Sequence, residues 1–563
     1  MPKTQLNIAQ HLATAAATQP WKRAVVVAVG RDSRGGAAYS HVTFHQLQVL
    51  CDRFAAGLAA AGVKKGMRAL IMVRPGLEFA PLVFALFKMG AIPVMIDPGM
   101  GWRSLARAVR QAGPEAFIGI PQAHLLRFLA PLSFRGIRIP IVLGRIGICG
   151  APSLQRLARQ AGVAPLPMAG TAPDDPAAIL FTTGSTGPAK GVVYTHRIFD
   201  AQIRLLRETF GITPADIDLP CFPLFGLFSL AMGVTTVIPT MDFTRPAAVL
   251  PMNIIEPILG QGVTYSFGSP ALWRTVGAYC AKHGVRLPSL RKILMAGAPV
   301  APELHRCLLE KVLTAGAETW TPYGATEALP VASFNGRAVL AETADKSRQG
   351  AGTCVGWPVP GVTVRVIRIS DAQLTTWRDA ACLPQGQIGE FVVQGDVVTP
   401  EYCGLPEATR LAKIGDGDRI WHRMGDVGYV DAQGRLWFCG RKSHRVRTPQ
   451  GTLFTVPCEA IFNQHEHVYR AALVGVGDAG QDAQTPVIVI EPQPGHMPTS
   501  AAKRAKFAGE LLELGQRHPH TAGIQRVLFR RGFPVDFRHN AKIRREELAA
   551  WAARRISAHS GMP

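Results

Sequence analysis

Six short apolar runs recur through the first 183 residues: "AVVVAV" (24–29), "ALIMV" (69–73), "IPVMID" (92–97), "AFIGI" (116–120), "IPIVLG" (139–144) and "AAILFTT" (177–183). Runs of this length, β-rich and separated by helical patterns, are strands that need cover on both faces, which argues for parallel sheets wrapped by helices. Between the first two runs, Leu47, Leu50, Phe54 and Leu58 repeat at helical spacing. That helix is opened by a Thr43…Gln46 capping box and ended at Gly62. An apolar helix is expected over 78–89, and the same style continues through 197–340. From about 350 the texture changes to Gly- and Val-rich alternation, "GVTVRVIRI" and "GEFVVQG", which reads as antiparallel β.

A second change falls near 440. After the strand "RLWFCG" comes the charged run "RKSHRVR" (441–447), then strands near 471–476 and 485–491 and helices near 500–515 and 543–556. The expected fold class is α/β plus α+β. A large N-terminal domain (1–440) of helix-wrapped mixed β-sheets with a β-rich subdomain precedes a small C-terminal α+β domain (441–563). Residues 451–460 and 476–500 are expected to be mobile loops.

The chain has 61 basic and 39 acidic residues, a net charge of +22. That surplus favours anionic company, meaning nucleotides, acidic lipid surfaces, nucleic acid or an acidic partner; free use of Arg on a solvated surface explains it equally well. Basic residues cluster late, in "RVLFRRGFPVDFRHNAKIRREEL" (526–548), without a recognisable nucleic-acid module around them, so nucleic acid is not the expected partner. No transmembrane segment is expected, since the most apolar stretch, 66–100, is interrupted by Arg74, Glu78 and Lys88. The start "MPKTQLNIAQHL" has no apolar signal core. Ten scattered cysteines with no CxxC pair suggest reduced thiols and a cytoplasmic address.

The sixth strand run leads into "ILFTTGSTGPAKGVVYTH" (179–196). Backbone N–H groups of a Gly-rich turn can converge on one anion, and Gly lets a phosphate approach without a Cβ in the way. Thr182, Thr183, Ser185 and Thr186 add hydroxyl donors and Lys190 a cation. No hydroxyl follows Lys190, so this is not a P-loop of the GxxxxGK[ST] type, and neither GxSxG nor GxGxxG is present. Alone, such a loop is as readily a solvent turn; the full string aliphatic-x-x-TTGSTGxAK is far more restrictive.

"ILFTTGSTGPAKG" resembles the phosphate-loop signature of the adenylate-forming superfamily, which includes acyl-CoA synthetases, luciferases and nonribosomal adenylation domains. "AGAP" (296–299), "TPYGATE" (321–327), "RMGDVGY" (423–429) and "FCGRK" (438–442) follow in the superfamily's order, and a lysine in "HNAKIRREEL" completes the set. The resemblance implies ATP and Mg²⁺. It implies that Thr182, Thr183, Gly184, Ser185, Thr186, Gly187 and Lys190 grip the β- and γ-phosphates. Gly297, Ala298 and Tyr323 would shape the adenine slot, the Tyr ring supplying a stacking face, and Pro299, Gly324 and Thr326 of the same motifs would also contact the nucleotide. Glu327 matches the Mg²⁺ carboxylate, since a hard cation bridging phosphates needs an oxygen ligand. Asp426 matches the residue that accepts from both ribose hydroxyls, and Arg441 adds a ribose contact. Lys542 matches the lysine that stabilises charge on the attacking carboxylate and the α-phosphate. Singly, Glu327 would read as a capping carboxylate, Asp426 as a turn residue and Lys542 as one more basic residue on a helix. His196 has two readings, a structural residue at a helix start or a catalytic group on the substrate side.

Thiol-transferring members carry Asp or Lys where Ser443 stands and then an "SG" pair; here "RVRTPQGTLFTVPCEAIF" (445–462) retains only Pro457 and Glu459. "VRPGLEFAPLVFALFKMGAIPVMIDPG", "EAFIGIPQAH", "GTCVG" and "HRMGDVGYVDAQGRLWFCGRK" resemble the β-lactone synthetases of bacterial long-chain olefin biosynthesis. That family activates a long-chain 2-alkyl-3-hydroxy acid with ATP as an acyl-adenylate, and the substrate's own 3-hydroxyl closes the β-lactone. Because such a substrate and product are insoluble, assembly with the pathway's decarboxylase and reductase, or contact with a membrane surface, is an option. The acyl pocket is expected in "LPCFPLFGLFSLAMGV" (219–234), where Phe222, Phe225 and Phe228 share a wall if the segment is helical from about 223. The competing functions are a long-chain acyl-CoA ligase, an acyl-AMP ligase loading a carrier protein, and a basic scaffold with a dead adenylation fold.

Overall fold

The structure is a computed structural model that describes residues 5–33, 35–162, 166–182, 189–478, 480, 483–535 and 543–560. Six strands form one sheet in the order Ile139–Val142, Ala116–Gly119, Arg68–Met72, Ile92–Ile96, Pro176–Thr182, Lys190–Thr195. The first five run parallel and the last is antiparallel, closing the hairpin that carries the Gly-rich loop. Alternate residues of these strands enter two separate cores. Ala69, Ile71, Ala116 and Ile118 pack with the helices Phe44–Ala60 and Phe79–Met89, while Leu70, Val94 and Phe117 pack with Trp102–Ala112. Period-two burial on both faces explains why these runs are apolar throughout rather than alternating.

Local signals account for the helices. The Thr43 hydroxyl accepts from the Gln46 amide and the Gln46 side chain accepts from the Thr43 amide, the capping box read from the sequence. Phe79–Met89 is buried from Ala80 to Lys88, and Gly90 closes it at φ +68°. Lys88, buried with the rest, is neutralised by an ion pair to Asp52.

A second, 14-stranded sheet runs from Thr363–Ile367 to Ala37–Thr43. Its centre is parallel (Tyr265–Gly268, Lys292–Met295, Glu318–Ala325), and from Ala328–Asn335 onward it is antiparallel. The strands Thr363–Ile367, Gly389–Gln394, Arg419–Val430 and Leu436–Arg441 make the expected β-rich part. The smaller C-terminal domain is a three-stranded sheet of Val468–Val476, Thr485–Pro492 and Arg526–Phe529, with the helices Thr455–Phe462 and Ala501–Gln516 on one face and Arg545–Ser560 on the other.

The mobile loop expected at 451–460 is a structured element instead. Gly451–Leu453 is a strand and Thr455–Phe462 a helix whose Pro457, Cys458 and Glu459 are buried. Glu459 accepts from the Leu473 amide (2.8 Å) and pairs with Arg545 (2.5 and 2.7 Å), so it fastens this helix to the C-terminal sheet. The charged run 441–447 is likewise tied down: Lys442 lies 3.2 Å from buried Glu390, which Arg423 also holds, and Arg445 and Arg447 reach Asp371. All ten cysteines are free, seven of them buried.

Candidate active site

Strands Glu318–Ala325 and Ala328–Asn335 pair antiparallel with Ala325 opposite Ala328, so Thr326 and Glu327 form the two-residue turn. A Cβ at Gly324 would meet the Ala328 carbonyl at 2.7 Å, which is why Gly precedes the turn. The Thr399 amide and hydroxyl donate to the Glu327 carbonyl (2.9 and 3.0 Å), and the Tyr402 hydroxyl donates to Glu327 Oε1 (2.7 Å). Thr399 thus fixes the backbone of the turn, and Tyr402 orients the carboxylate that the resemblance implies for the metal.

Cations surround it. Lys190 Nζ sits 4.8 Å from the centre of the Tyr402 ring, a cation–π contact. Lys413 Nζ donates to Thr399 Oγ1 (3.3 Å); burial brings its ammonium down to about 7, while the Glu327 charge works in the other direction. Buried His422 is held well below its ordinary value by burial and then by the charge of Lys413, so it is neutral. A pocket of cationic side chains around one carboxylate suits a polyphosphate.

The remaining nucleotide residues converge on the same place. Asp426 and Arg441 are register partners in the ladder between Arg419–Val430 and Leu436–Arg441, with Arg441 Nη1 2.8 Å from Asp426 Oδ1. The Tyr323 hydroxyl donates to Asp426 Oδ2 (2.6 Å). Each carboxylate oxygen keeps lone-pair capacity for a further donor. Gly297, Ala298 and Pro299 follow the strand Lys292–Met295, the parallel neighbour of the strand bearing Tyr323, so both lie at one end of the sheet; Gly297 has φ +92°. Thr182 is the register partner of Lys190, and the bridge between Val192 and Tyr402 brings the hairpin against Glu327's partner. Thr183, Gly184, Ser185, Thr186 and Gly187, and also Lys542, lie outside the described residues.

A cavity of about 1080 Å³ adjoins this cluster. It lies at the carboxyl ends of Arg68–Met72 and Ile92–Ile96, adjacent parallel strands whose connecting helices cover opposite faces of the sheet, the usual place for a ligand in such folds. Phe222, Phe225 and Phe228 line it, on or beside the helix Pro223–Ala231, which starts where the sequence suggested. Their rings stand 5.7 and 5.9 Å apart in succession, and Phe225 stacks on Phe267 at 3.7 Å. Beneath this helix the Ser229 hydroxyl donates to buried Asp218 Oδ2 (2.6 Å) and meets Tyr265 (2.8 Å); burial pushes the Asp218 carboxyl up to about 8. Tyr194, Gln202 and Thr326 are among the polar residues lining the cavity, with Arg74, Asp97 and Asp242. Tyr194 donates to the Thr326 carbonyl (2.6 Å) and Gln202 to the Leu329 carbonyl (3.0 Å), so the cavity wall and the Glu327 turn are one assembly.

His196 is not among the residues lining this cavity. It begins the helix His196–Phe210, and its Nδ1 accepts from the Ile8 amide (3.2 Å). Burial takes the ring down to about 4, leaving it neutral. Nδ1 is thus engaged by the backbone, while Nε2 is buried without a hydrogen-bond partner among the described residues. Tyr402, Lys413, His422, Tyr194 and Gln202 were not singled out from the sequence; Tyr194 and His422 stand within motif segments but carry no role there, the other three belong to no motif, and only the tertiary fold gathers them.

Magnesium fits this donor set. Among the described residues no group of three or more His, Cys, Asp or Glu side chains could cage a metal. An ion that keeps its waters and is held mainly by phosphates needs only one or two carboxylates, and oriented Glu327 supplies one.

The sheets, the paired cavity and cation cluster, and the motif order define an adenylate-forming ligase. The chain belongs to the AMP-binding enzyme family, whose model matches residues 12–403, and it is an ATP-dependent enzyme of that class. It is 48% identical over 98% of its length to the olefin β-lactone synthetase of Xanthomonas campestris pv. campestris, covering 98% of that protein. Identity to the olefin β-lactone synthetase of Stenotrophomonas maltophilia is 47%, over 97% of this chain and 98% of that one. The solved structure of ATP-bound MatB from Rhodopseudomonas palustris shares the fold, with a TM-score of 0.76 at 21% identity over 98% of this chain and 99% of that one. Among the described residues no helix is long and apolar enough to cross a membrane.

Proposed function

We propose that the protein is a β-lactone synthetase that converts a long-chain 2-alkyl-3-hydroxy acid and ATP to a β-lactone, AMP and pyrophosphate. The observation that carries this reading is the apolar cavity whose lining includes Thr326, the residue before Glu327. An acid with its chains in the cavity presents its carboxylate to the cation cluster and the nucleotide. The near-full-length identity to two olefin β-lactone synthetases supports the choice of substrate.

The carboxylate attacks the α-phosphorus, pyrophosphate leaves, and an acyl-adenylate forms. Lys190, Lys413 and the residues 182–187 would hold the polyphosphate, and Tyr323, Asp426 and Arg441 the nucleoside. Glu327 would hold Mg²⁺, which neutralises charge on the departing pyrophosphate. Lys542 would stabilise the attacking carboxylate and α-phosphate. The substrate's 3-hydroxyl then attacks the activated carbonyl, losing its proton, and AMP departs with the former carboxylate oxygen. Because the nucleophile is tethered within reach, no thiol channel is required. Consistent with that, Glu459, one of two remnants of the thiol-channel motif, is engaged with Arg545 and Leu473. The division into 1–440 and a lid at 441–563 fits the chemistry, since the lid would keep water from the mixed anhydride. A cytoplasmic location and assembly with the pathway's decarboxylase and reductase belong to the same proposal.

Product analysis tests it. The protein is incubated with MgATP and a synthetic 2-alkyl-3-hydroxy acid, with and without coenzyme A, and the organic product is followed by NMR. A β-lactone with AMP in the absence of thiol is expected; a thioester formed only with coenzyme A would make the protein an acyl-CoA ligase.

A further inference from the structure

Away from the active site, large apolar side chains stand in water in the segments that follow two neighbouring strands at one edge of the six-stranded sheet. Phe128, Leu129, Leu132 and Ile146 are 62%, 69%, 75% and 81% exposed, with Leu125 and Ile148 beside them in the chain. Isolated exposed leucines need no explanation, but a cluster does. The residues come from the two segments that follow the parallel neighbours Ala116–Gly119 and Ile139–Val142, so both emerge at the same end of the sheet. Gly144 abuts the Pro121 ring, its Cβ position lying 3.8 Å from the Pro121 Cγ.

The charge carried by these segments of the chain has one sign. From Ala116 to Pro173 the chain has six arginines (127, 135, 138, 145, 156, 159) and no Asp or Glu. Arg135 and Arg138, which precede the strand Ile139–Val142, and Arg145, which follows it, are exposed. The face also continues to the cavity. The strand Arg68–Met72 lies next to Ala116–Gly119 in parallel, and the residues after it bring exposed Arg74 and half-buried Phe79 to the cavity lining. Gln155 links the two regions: its Oε1 accepts from the Gly144 amide (2.9 Å) and its Nε2 donates to Glu78 Oε1 (2.7 Å).

We infer that the face formed by residues 125–132 and 145–148 docks on the surface of an anionic phospholipid bilayer, and that the acid enters the cavity from that surface past the loop 73–79. Apolar side chains buried at the acyl boundary and guanidinium groups among acidic headgroups are the two terms that hold a protein at such an interface. A mixed apolar and basic face would also suit an acidic protein, but its continuity with a cavity for water-insoluble chains favours the bilayer. The cargo named here rests on the proposed function; the docking does not.

Full-length protein is sedimented with vesicles containing about a third phosphatidylglycerol and with pure phosphatidylcholine vesicles, no acid or ATP being present. Binding to the anionic vesicles that weakens with salt is expected. The triple variant Phe128→Ser, Leu129→Ser, Leu132→Ser is expected to lose at least about tenfold in partition, and Arg135→Glu with Arg145→Glu to lose binding also. Both variants should keep the wild-type thermal midpoint and, on acid supplied in detergent, the wild-type turnover. Absence of wild-type binding, or equal binding by the triple variant, overturns the inference. So does self-association that the triple variant abolishes, which would assign the face to a second copy of the chain. Vesicle binding by a protein that makes no lactone would leave the docking standing and the proposed function overturned.

Discussion

The Tyr402 hydroxyl donates to Glu327 Oε1 at 2.7 Å while Lys190 Nζ lies 4.8 Å from the same tyrosine ring. One residue thus joins the candidate metal carboxylate to the cation of the phosphate hairpin. Removing the hydroxyl in Tyr402→Phe keeps the ring and the cation–π contact but frees the carboxylate, at a cost of about 1–1.5 kcal/mol. The expected result is a roughly tenfold lower kcat/KM with a raised magnesium requirement, measured as pyrophosphate release across a magnesium titration. An unchanged magnesium dependence would remove Tyr402 from the metal site.

Lys413 is brought down to about 7 by burial beside Glu327. A polyphosphate binds the cationic form better, so ATP affinity should fall as pH rises through 7 and the ammonium loses its proton. Lys413→Met should bind ATP more weakly at pH 6 and flatten the difference between pH 6 and 8. Calorimetric titration at the two pH values measures both effects.

Asp218 anchors the pocket helix through Ser229 and carries a carboxyl raised to about 8 from an ordinary value near 4. The folded chain holds this proton between those values and the unfolded chain does not, so the group's contribution makes stability fall as pH rises from about 4 to 8. Asp218→Asn keeps a neutral acceptor for Ser229. Its melting temperature should exceed that of the wild type by more at pH 8 than at pH 5.

Phe228 lines the apolar cavity and lies 5.9 Å from both Phe225 and Phe199. Phe228→Trp should shorten the space available. Kinetics with a series of acids should show kcat/KM falling about tenfold for the longest chains, with the shortest little affected. A uniform loss across the series would mean general misfolding rather than a pocket wall.

Glu459 and Arg545 form a buried pair that fastens the helix Thr455–Phe462. Glu459→Leu leaves the guanidinium unpaired and should cost about 3–5 kcal/mol of stability, read by chemical denaturation. Coenzyme A should not alter the activity of either protein.

Legibility from the sequence followed the range of the interactions. Thr43 with Gln46, the apolar strand runs and the helix start at Pro223 are set by neighbours a few residues apart, and each is in place. Thr455–Phe462 was misread because Gly451, Pro457 and the polar Thr and Gln residues nearby are loop-like. What holds that helix is Arg545, 86 residues away in sequence, and the Leu473 amide. The site divides the same way. Glu327, Tyr323, Asp426 and Arg441 stand in motifs and converge, whereas Lys413 and Gln202 acquire meaning only from burial against Thr399 and Leu329. His196 closes a motif-bearing hairpin, but its ring turns to the Ile8 amide.

The most direct test follows the oxygen atoms. The acid is prepared with ¹⁸O in both carboxylate positions and converted with MgATP in the absence of thiol, and AMP and lactone are analysed by mass spectrometry. Attack of the carboxylate on the α-phosphorus followed by closure by the 3-hydroxyl leaves one labelled oxygen in AMP and one in the lactone carbonyl. Unlabelled AMP with both labels retained in the lactone would mean that the hydroxyl, not the carboxylate, is activated, and would contradict the account.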